Sequence, residues 1–261
     1  MSKILIAGDS WGIGVYTGAG ETYGPTGQGI QTILEALGHT IINISKGGGA
    51  NWLMVDRLEG NWHNTGRCLF GADYKDKVKF DLNEIDHILF LQTDICRERH
   101  YYGKRYPTDQ GTKWKMLDRK FINEITEFNS LAEIIDCYFN NLYSYLNTIA
   151  ETHNKKIILV GGWSQLHPSI ANYSNLIAAV PSATKLLISE LKEDVYLSDP
   201  EWYVQLGEDQ KFMAKFNNEF KPMSIIAAEK LDLIYKNWNG EVHPDITGYQ
   251  QIVDQLLPYF G

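Results

Sequence analysis

Near its amino terminus the chain reads Ile4-Leu5-Ile6-Ala7-Gly8-Asp9-Ser10-Trp11-Gly12. The apolar run predicts a short buried strand, and the glycines around Asp9 and Ser10 predict a turn where that strand ends. In an open α/β sheet, the carboxyl end of the first strand lies beside the crevice where ligands bind. Ser10 is therefore placed to act as an exposed nucleophile or, on the simpler interpretation, to cap a helix.

Strand and helix patterns alternate along the rest of the chain, which predicts a parallel sheet with helices on both faces. Further strands are predicted at 40–44, 88–91 and 156–160, and the fifth at either 176–180 or 195–197. Helices are predicted at 30–37 with Gly38 as the stop signal, after Asn51, at 121–152, at 225–238 and at the carboxyl terminus, where the apolar positions begin at Ile246, with a loop at 12–29. No repeat or linker interrupts residues 1–261, so we expect a single domain. A polar, aromatic insertion at about 95–120 follows the third strand and is expected near the crevice.

Composition excludes several classes of partner. The formal charge of −8 argues against binding to nucleic acid or to an anionic membrane surface. No apolar run approaches the roughly 20 residues of a membrane span, and the first residues lack the pattern of a signal peptide. Three widely spaced cysteines cannot all pair with one another and have no metal-site spacing. We therefore expect a cytoplasmic protein that needs no metal or other cofactor.

A second informative segment lies near the carboxyl terminus and reads Asn239-Gly240-Glu241-Val242-His243-Pro244-Asp245-Ile246-Thr247-Gly248-Tyr249. Proline at the first helical position and an acidic residue in the first turn both favour a helix start. The prediction therefore puts Pro244 and Asp245 in the helix and leaves His243 on the loop before it.

Three features together resemble the SGNH (GDSL-like) hydrolase family. They are Gly8-Asp9-Ser10, the spacing Asn43-x-x-x-x-Gly48, and His243-Pro244-Asp245-x-x-Gly248-Tyr249. The resemblance implies a three-layer α/β/α fold with a five-stranded parallel sheet in the flavodoxin-like order 2-1-3-4-5. It also implies Ser10 as nucleophile, His243 as its base, and the backbone N–H groups of Ser10 and Gly48 as oxyanion donors, with Gly47 or Gly49 as alternatives to Gly48.

The chain departs from the family pattern at two places. The third family block usually supplies an asparagine oxyanion donor, but Thr93 stands at that position. The Thr93 hydroxyl or the Gln92 amide could substitute for it, and Asn51 is a third alternative.

The family's acid, three residues before the histidine, is here replaced by Gly240. Glu241 is the preferred substitute, and a backbone carbonyl that orients the His243 ring is the alternative. We interpret Asp9 as structural, because a carboxylate beside the serine can hold the turn through hydrogen bonds.

These residues predict a serine esterase that hydrolyses an O-acyl ester through an acyl-enzyme. The insertion is interpreted either as a solvated surface loop or as a substrate-binding segment. In the second case its aromatic rings and arginines favour an acylated carbohydrate or another small-molecule acyl ester as substrate. Expected substrate contacts are Asn51, Asp94, Arg97 and Trp163. The alternative is a binding protein that keeps the fold while the two altered blocks have lost catalytic activity.

Overall fold

The computed structural model of the protein describes residues 1–14, 16–17, 24–25, 29–46, 49, 51–60, 78–93, 131–162, 165–187, 244 and 246–261. Its strands are β1 (Lys3–Ala7), β2 (Tyr16–Thr17), β3 (Gly24–Pro25), β4 (Thr40–Asn43), β5 (His87–Gln92), β6 (Ile157–Gly161) and β7 (Leu176–Val180). Its α-helices are α1 (Ser10–Ile13), α2 (Ile30–Ala36), α3 (Asn51–Leu58), α4 (Leu131–Thr152), α5 (Ala183–Leu187) and α6 (Ile246–Leu256). Short 3₁₀ helices cover Leu82–Glu84, Pro168–Asn172 and Leu257–Tyr259.

Five of these strands form one parallel sheet in the order β4-β1-β5-β6-β7. The short β2 and β3 pair with each other instead, so the sheet reads 2-1-3-4-5 in chain order. The predicted topology is confirmed. The strand order reverses between β1 and β5, and in open α/β sheets the crevice for ligands lies outside the carboxyl ends of strands at such a switch point.

The core lies on both faces of the sheet, because successive strand residues point to opposite sides. On one face, Leu5 and Phe90 pack with Phe139 of α4 and residues of α3. On the other face, Ile6 and Leu89 pack with residues of α2, α5 and α6. Each fully buried aliphatic or aromatic side chain of this kind stabilises the fold by roughly 1.5–3 kcal/mol. The result is the predicted three-layer α/β/α architecture.

The longest described helix, α4, is amphipathic. Phe139, Leu142 and Leu146 lie on its buried face, whereas Asn141 and Ser144 are exposed. Among the described residues, no helix combines the length and the apolar character that a bilayer crossing demands.

Several predicted boundaries are corrected by the structure. The turn after β1 continues as α1, and two short strands lie in the segment predicted as loop. β4 ends one residue earlier than expected and β6 is shifted by one residue. Of the two alternatives for the fifth strand, 176–180 is confirmed, whereas 195–197 and the predicted helix 225–238 lie outside the described residues.

The prediction that Pro244 occupies the first helical position is wrong. α6 begins two residues later, at Ile246, and Pro244 is a buried bridge residue. The tertiary structure overrides the local signal here, because Pro244 is held in an extended bridge before the helix starts. Asp245, predicted in the first turn, lies outside the described residues.

The amino-terminal edge of the sheet carries two imidazoles. His87, the first residue of β5, and His39 each contact the ring of Phe260 edge-on, with centroid distances of 5.5 and 5.8 Å. Burial lowers the pKa of His87 below its ordinary value of 6.5, and His39 lowers it further, while the Asp86 carboxylate opposes the shift. His87 thus lies at the amino-terminal end of β5, whereas ligands are expected at the carboxyl ends of the strands.

We predict that stability falls as the pH falls through about 6.5, because the unfolded chain then binds a proton that the folded His87 resists. At higher pH, His87 is neutral in both states and its contribution to stability is complete. Urea unfolding at pH values of about 7.5 and about 5.5 should show a smaller loss of stability in His87→Gln than in the unmodified protein. Equal losses in the two proteins would contradict this assignment.

Candidate active site

The turn at the carboxyl end of β1 is built around the Asp9 side chain, which is buried. Asp9 Oδ1 accepts a hydrogen bond from Trp11 N at 2.9 Å, and the Asp9 carbonyl accepts one from Gly12 N at 3.1 Å. This is the geometry of a helix N-cap, with Ser10 as the first residue of α1. The Trp11 side chain is fully buried and anchors the turn in the core. The prediction that Asp9 holds the turn through hydrogen bonds is confirmed.

The two glycines of this segment are required by close packing. A Cβ atom on Gly8 would lie 2.9 Å from Leu91 Cβ, and one on Gly12 would overlap the Ser45 side chain. Both contacts are closer than side-chain carbon atoms tolerate. The glycines therefore let the ends of β5 and β4 approach the turn that carries Ser10.

A hydrogen bond joins this turn to the end of β5, across the switch point. The Thr93 hydroxyl donates to Asp9 Oδ2 at 2.9 Å, and both side chains are buried. A threonine hydroxyl has one proton to give, and in this structure it is directed to the carboxylate. To donate to an oxyanion, Thr93 would have to rotate away from Asp9, so its oxyanion role stays a prediction.

Asn51, the first residue of α3, contacts Thr93 from the other side. Asn51 Oδ1 accepts from Thr93 N at 2.8 Å, and Asn51 Nδ2 donates to the Thr93 carbonyl at 2.9 Å and to the Tyr138 hydroxyl at 3.1 Å. The Asn51 side chain is 1% exposed. These contacts are internal to the protein, and they fit a supporting role better than the substrate contact expected from the sequence.

Gln92 is tied to the neighbouring loop and to α4. Its Oε1 accepts from the Tyr143 hydroxyl at 2.6 Å, and its Nε2 donates to the Gln165 carbonyl at 3.1 Å. Burial raises the pKa of Tyr143, so the hydroxyl stays neutral and keeps its proton for Gln92. The same hydroxyl accepts from His167 N at 2.9 Å. One Nε2 proton of Gln92 is thus committed to the protein framework.

The glycine segment after β4 approaches the same edge of the sheet. Lys46 N donates to the Gly8 carbonyl at 2.9 Å, which continues the contact between the chains of β1 and β4 beyond the strands. Gly49 N donates to the Lys46 carbonyl at 2.8 Å, so this alternative to Gly48 has its N–H engaged in a turn. Gly48 itself and Gly47 lie outside the described residues.

The structure thus brings together Ser10, Gln92, Thr93 and Asn51 among the predicted site residues. The others, which are His243, Glu241, Gly48, Asp94, Arg97 and Trp163, lie outside the described residues, and their roles stay predictions. For the Ser10 side chain the same holds, because only its place in the chain of α1 is described. Within the described ranges, no group of three His, Cys, Asp or Glu side chains is arranged to hold a metal ion.

Sequence reasoning missed the two tyrosines that support this edge. Tyr138 and Tyr143 lie on α4 and contact Asn51 and Gln92, respectively. In the sequence they look like members of an apolar helix stripe, and Tyr143 is indeed fully buried in that core. A buried tyrosine usually finds a hydrogen-bond partner, and this is the signal that could have identified them.

No protein-family model and no curated protein matches this chain. Solved structures match it at low identity over nearly its whole length. LAE5, an alpha/beta hydrolase enzyme from the metagenome of Lake Arreo in Spain, is 14% identical over 100% of this chain and 95% of its own, with a TM-score of 0.42. A protein described as a GDSL-like lipase from Parabacteroides merdae is 17% identical over 100% and 95%, with a TM-score of 0.41. The lipase/acylhydrolase from Enterococcus faecalis is 12% identical over 99% and 95%, with a TM-score of 0.37. Similarities this low carry no inference about activity.

We predict that Thr93→Val destabilises the protein by about 1–3 kcal/mol, because the buried Asp9 carboxylate loses a donor while the side-chain shape is kept. Urea unfolding measures the change. Thr148→Val is the matched control, since the Thr148 hydroxyl donates to the Ser144 carbonyl on the exposed face of α4. It should change stability by less than about 0.5 kcal/mol. Equal effects of the two substitutions would contradict the structural importance of the Asp9–Thr93 bond.

Proposed function

We propose that this protein is a serine ester hydrolase that cleaves an O-acyl ester through an acyl-enzyme, with Ser10 as nucleophile and His243 as general base. One observation carries the proposal. Ser10 begins α1 directly after the Asp9 cap, at the carboxyl end of β1 and beside the switch point between β1 and β5. In folds of this topology, that is where ligands bind.

The proposed reaction has two stages, acylation of Ser10 and hydrolysis of the acyl-enzyme. Ser10 Oγ attacks the ester carbonyl carbon while His243 takes the hydroxyl proton. Collapse of the tetrahedral intermediate breaks the bond to the alcohol oxygen, which leaves with the proton from His243. Water then attacks the acyl-enzyme, with His243 again as base, and releases the acid and the free serine. Glu241, or a backbone carbonyl in its place, orients the His243 ring.

Oxyanion stabilisation comes mainly from backbone donors in this proposal. The donors are the N–H groups of Ser10 and Gly48, assisted by the Gln92 amide or by Thr93, either of which would first have to give up a hydrogen bond within the protein. Removing one oxyanion donor typically slows such reactions by about 10²–10³-fold. Thr93 and Asn51 are engaged in hydrogen bonds within the protein. We therefore expect a lower kcat than in an enzyme that has a free side-chain donor in addition to the two backbone N–H groups.

The substrate proposed is a small-molecule or carbohydrate acyl ester. The basis is the insertion at about 95–120, in which Arg97 would contact an anionic or hydroxylated group. In the sequence, Asp94 and Trp163 come shortly after β5 and β6, at the carboxyl edge of the sheet where ligands are expected. An aromatic face such as that of Trp163 suits a sugar ring. The insertion belongs to the single domain proposed for residues 1–261.

A cytoplasmic setting is proposed from cysteine usage. The chain has three cysteines, and Cys137 is a free, exposed thiol on α4. Free thiols of this kind persist in reducing compartments.

We predict that Ser10→Ala abolishes hydrolysis of p-nitrophenyl acetate, because no other group in the proposed mechanism can form the acyl-enzyme. A fluorophosphonate probe, followed by peptide mapping, should label Ser10 in the unmodified protein and leave the variant unlabelled there. Ser144→Ala, which alters an exposed serine on α4, is the control and should keep full activity. Unchanged turnover in Ser10→Ala would remove Ser10 from the mechanism.

We predict that His243→Gln lowers kcat by at least about 10³-fold, since the serine then has no base. Glu241→Gln should lower kcat by at least about tenfold with KM little changed, because a carboxylate that orients the ring acts mainly in the transition state. Steady-state kinetics on the same ester measures both. Full activity in Glu241→Gln would assign the orienting role to a backbone carbonyl instead.

A ligand-binding protein without catalytic activity is the second candidate, favoured by the engagement of Thr93 with Asp9. It requires a ligand in the same crevice and no reaction of Ser10. The fluorophosphonate experiment separates the two candidates, because an unreactive Ser10 in the folded, unmodified protein supports the binding protein.

A further inference from the structure

We propose that Asn51 is a positioning residue that holds the end of β5 in place beside the Ser10 turn, an inference that rests on the proposed esterase function. The Asn51 amide binds both backbone groups of Thr93, accepting from its N–H at 2.8 Å and donating to its carbonyl at 2.9 Å. A neighbouring strand would make the same two kinds of contact. The side chain thus extends the sheet's hydrogen bonding by one residue beyond Gln92, where β5 ends.

Both amide protons of Asn51 are used in hydrogen bonds within the protein, so we place its effect on Thr93. An asparagine amide has two N–H protons, and Asn51 gives one to the Thr93 carbonyl and the other to the Tyr138 hydroxyl. Its side chain is 1% exposed. No proton is left for a substrate or an oxyanion, so its effect on catalysis passes through the position of Thr93.

Thr93 passes this constraint to the nucleophile turn. Its hydroxyl donates to Asp9 Oδ2, and Asp9 Oδ1 accepts from Trp11 N and so caps α1 at Ser10. The path from Tyr138 through Asn51, Thr93 and Asp9 consists of buried or half-buried hydrogen bonds. A shift of Thr93 would therefore move the carboxylate that sets the backbone orientation at Ser10.

The test is a graded series of substitutions assayed with p-nitrophenyl acetate. Asn51→Leu keeps the number of side-chain heavy atoms and the branch at Cγ but removes every polar contact, and Tyr138→Phe removes only the hydroxyl that accepts from Asn51. We expect Asn51→Leu to lower kcat by about 10–100-fold with KM within about threefold, because small misplacements act mainly on the transition state. Tyr138→Phe should lower kcat by less than about threefold.

Asn51→Asp supplies a readout that lost stability alone would not move. Its carboxylate keeps an acceptor for Thr93 N–H but lacks both donors and faces the Thr93 carbonyl. Protonation of the carboxyl would restore a donor to that carbonyl. The ratio of kcat in Asn51→Asp to kcat in the unmodified protein should therefore rise as the pH is lowered, and a ratio independent of pH would count against the proposal.

Asn147→Leu is the matched control. Asn147 lies on α4 and also accepts from a backbone N–H of another segment, that of Asn175 at 3.2 Å. Asn175 directly precedes β7, at the amino-terminal edge of the sheet, so this substitution should leave kcat unchanged. Amide hydrogen exchange gives a measurement that does not depend on activity, since the Thr93 N–H should exchange faster in Asn51→Leu and normally in Asn147→Leu.

The outcomes separate this proposal from the proposed function. If Ser10→Ala is inactive while Asn51→Leu and Asn51→Asp keep the kcat of the unmodified protein, Asn51 has no positioning role and the esterase proposal stands. If Ser10→Ala keeps full turnover, the esterase proposal fails, and unchanged Thr93 exchange would then also overturn the contact. If Asn51→Leu does not fold, Asn51→Asp and its pH dependence decide the matter.

Discussion

The site depends on one hydrogen bond, from the Thr93 hydroxyl to Asp9 Oδ2, which crosses the gap where the strand order reverses. A carboxylate buried as deeply as that of Asp9 is costly unless donors surround it. Asp9 gains two of them from different parts of the fold, Thr93 after β5 and Trp11 N in α1. These two bonds form when β1, β5 and the turn adopt their native arrangement together.

The helix α4 extends this constraint into the core. Tyr138 contacts Asn51, and Tyr143 contacts Gln92, so the consecutive residues Gln92 and Thr93 are both connected to one helix. Between the two tyrosines, Phe139 and Leu142 pack against the sheet with no exposed surface. Ordinary hydrophobic burial thereby sets the height of α4 over the sheet. Core packing therefore also sets the positions of Gln92 and Thr93. In this way the 22-residue helix α4, far from Ser10 in sequence, supports the candidate site.

The sequence predicts the central strands well because their apolar runs have few alternatives, as in Ile4–Ala7 and Ile157–Val160, where every residue is buried. The edge strand β7 has a weaker pattern in the sequence, because Ile177 and Ala179 are only partly buried and Ala178 is exposed. The prediction of Pro244 at the first helical position is wrong because the helix-start rule uses only neighbouring residues, whereas Pro244 forms a bridge to another part of the chain. The partnership of Asn51 with Thr93 spans 42 residues, and no local pattern distinguishes such an asparagine from one that merely begins a helix. Asp9 was predictable, because its partner Trp11 N lies two residues away.

The proposed catalysis does not require Thr93 itself to donate to the oxyanion, as the source of the proposed donors makes clear. A side-chain donor after β5 depends on residue identity, whereas backbone N–H groups depend only on the path of the chain. That path is fixed at Ser10 by the Asp9 cap and by Gly8 and Gly12, which admit Leu91 and Ser45 at distances that a side chain would forbid. On the proposed mechanism, Thr93 therefore contributes by holding Asp9, and through it the backbone at Ser10, more than by donating a proton itself. On this proposal, the activity is governed by the buried polar contacts that hold the turn at Ser10.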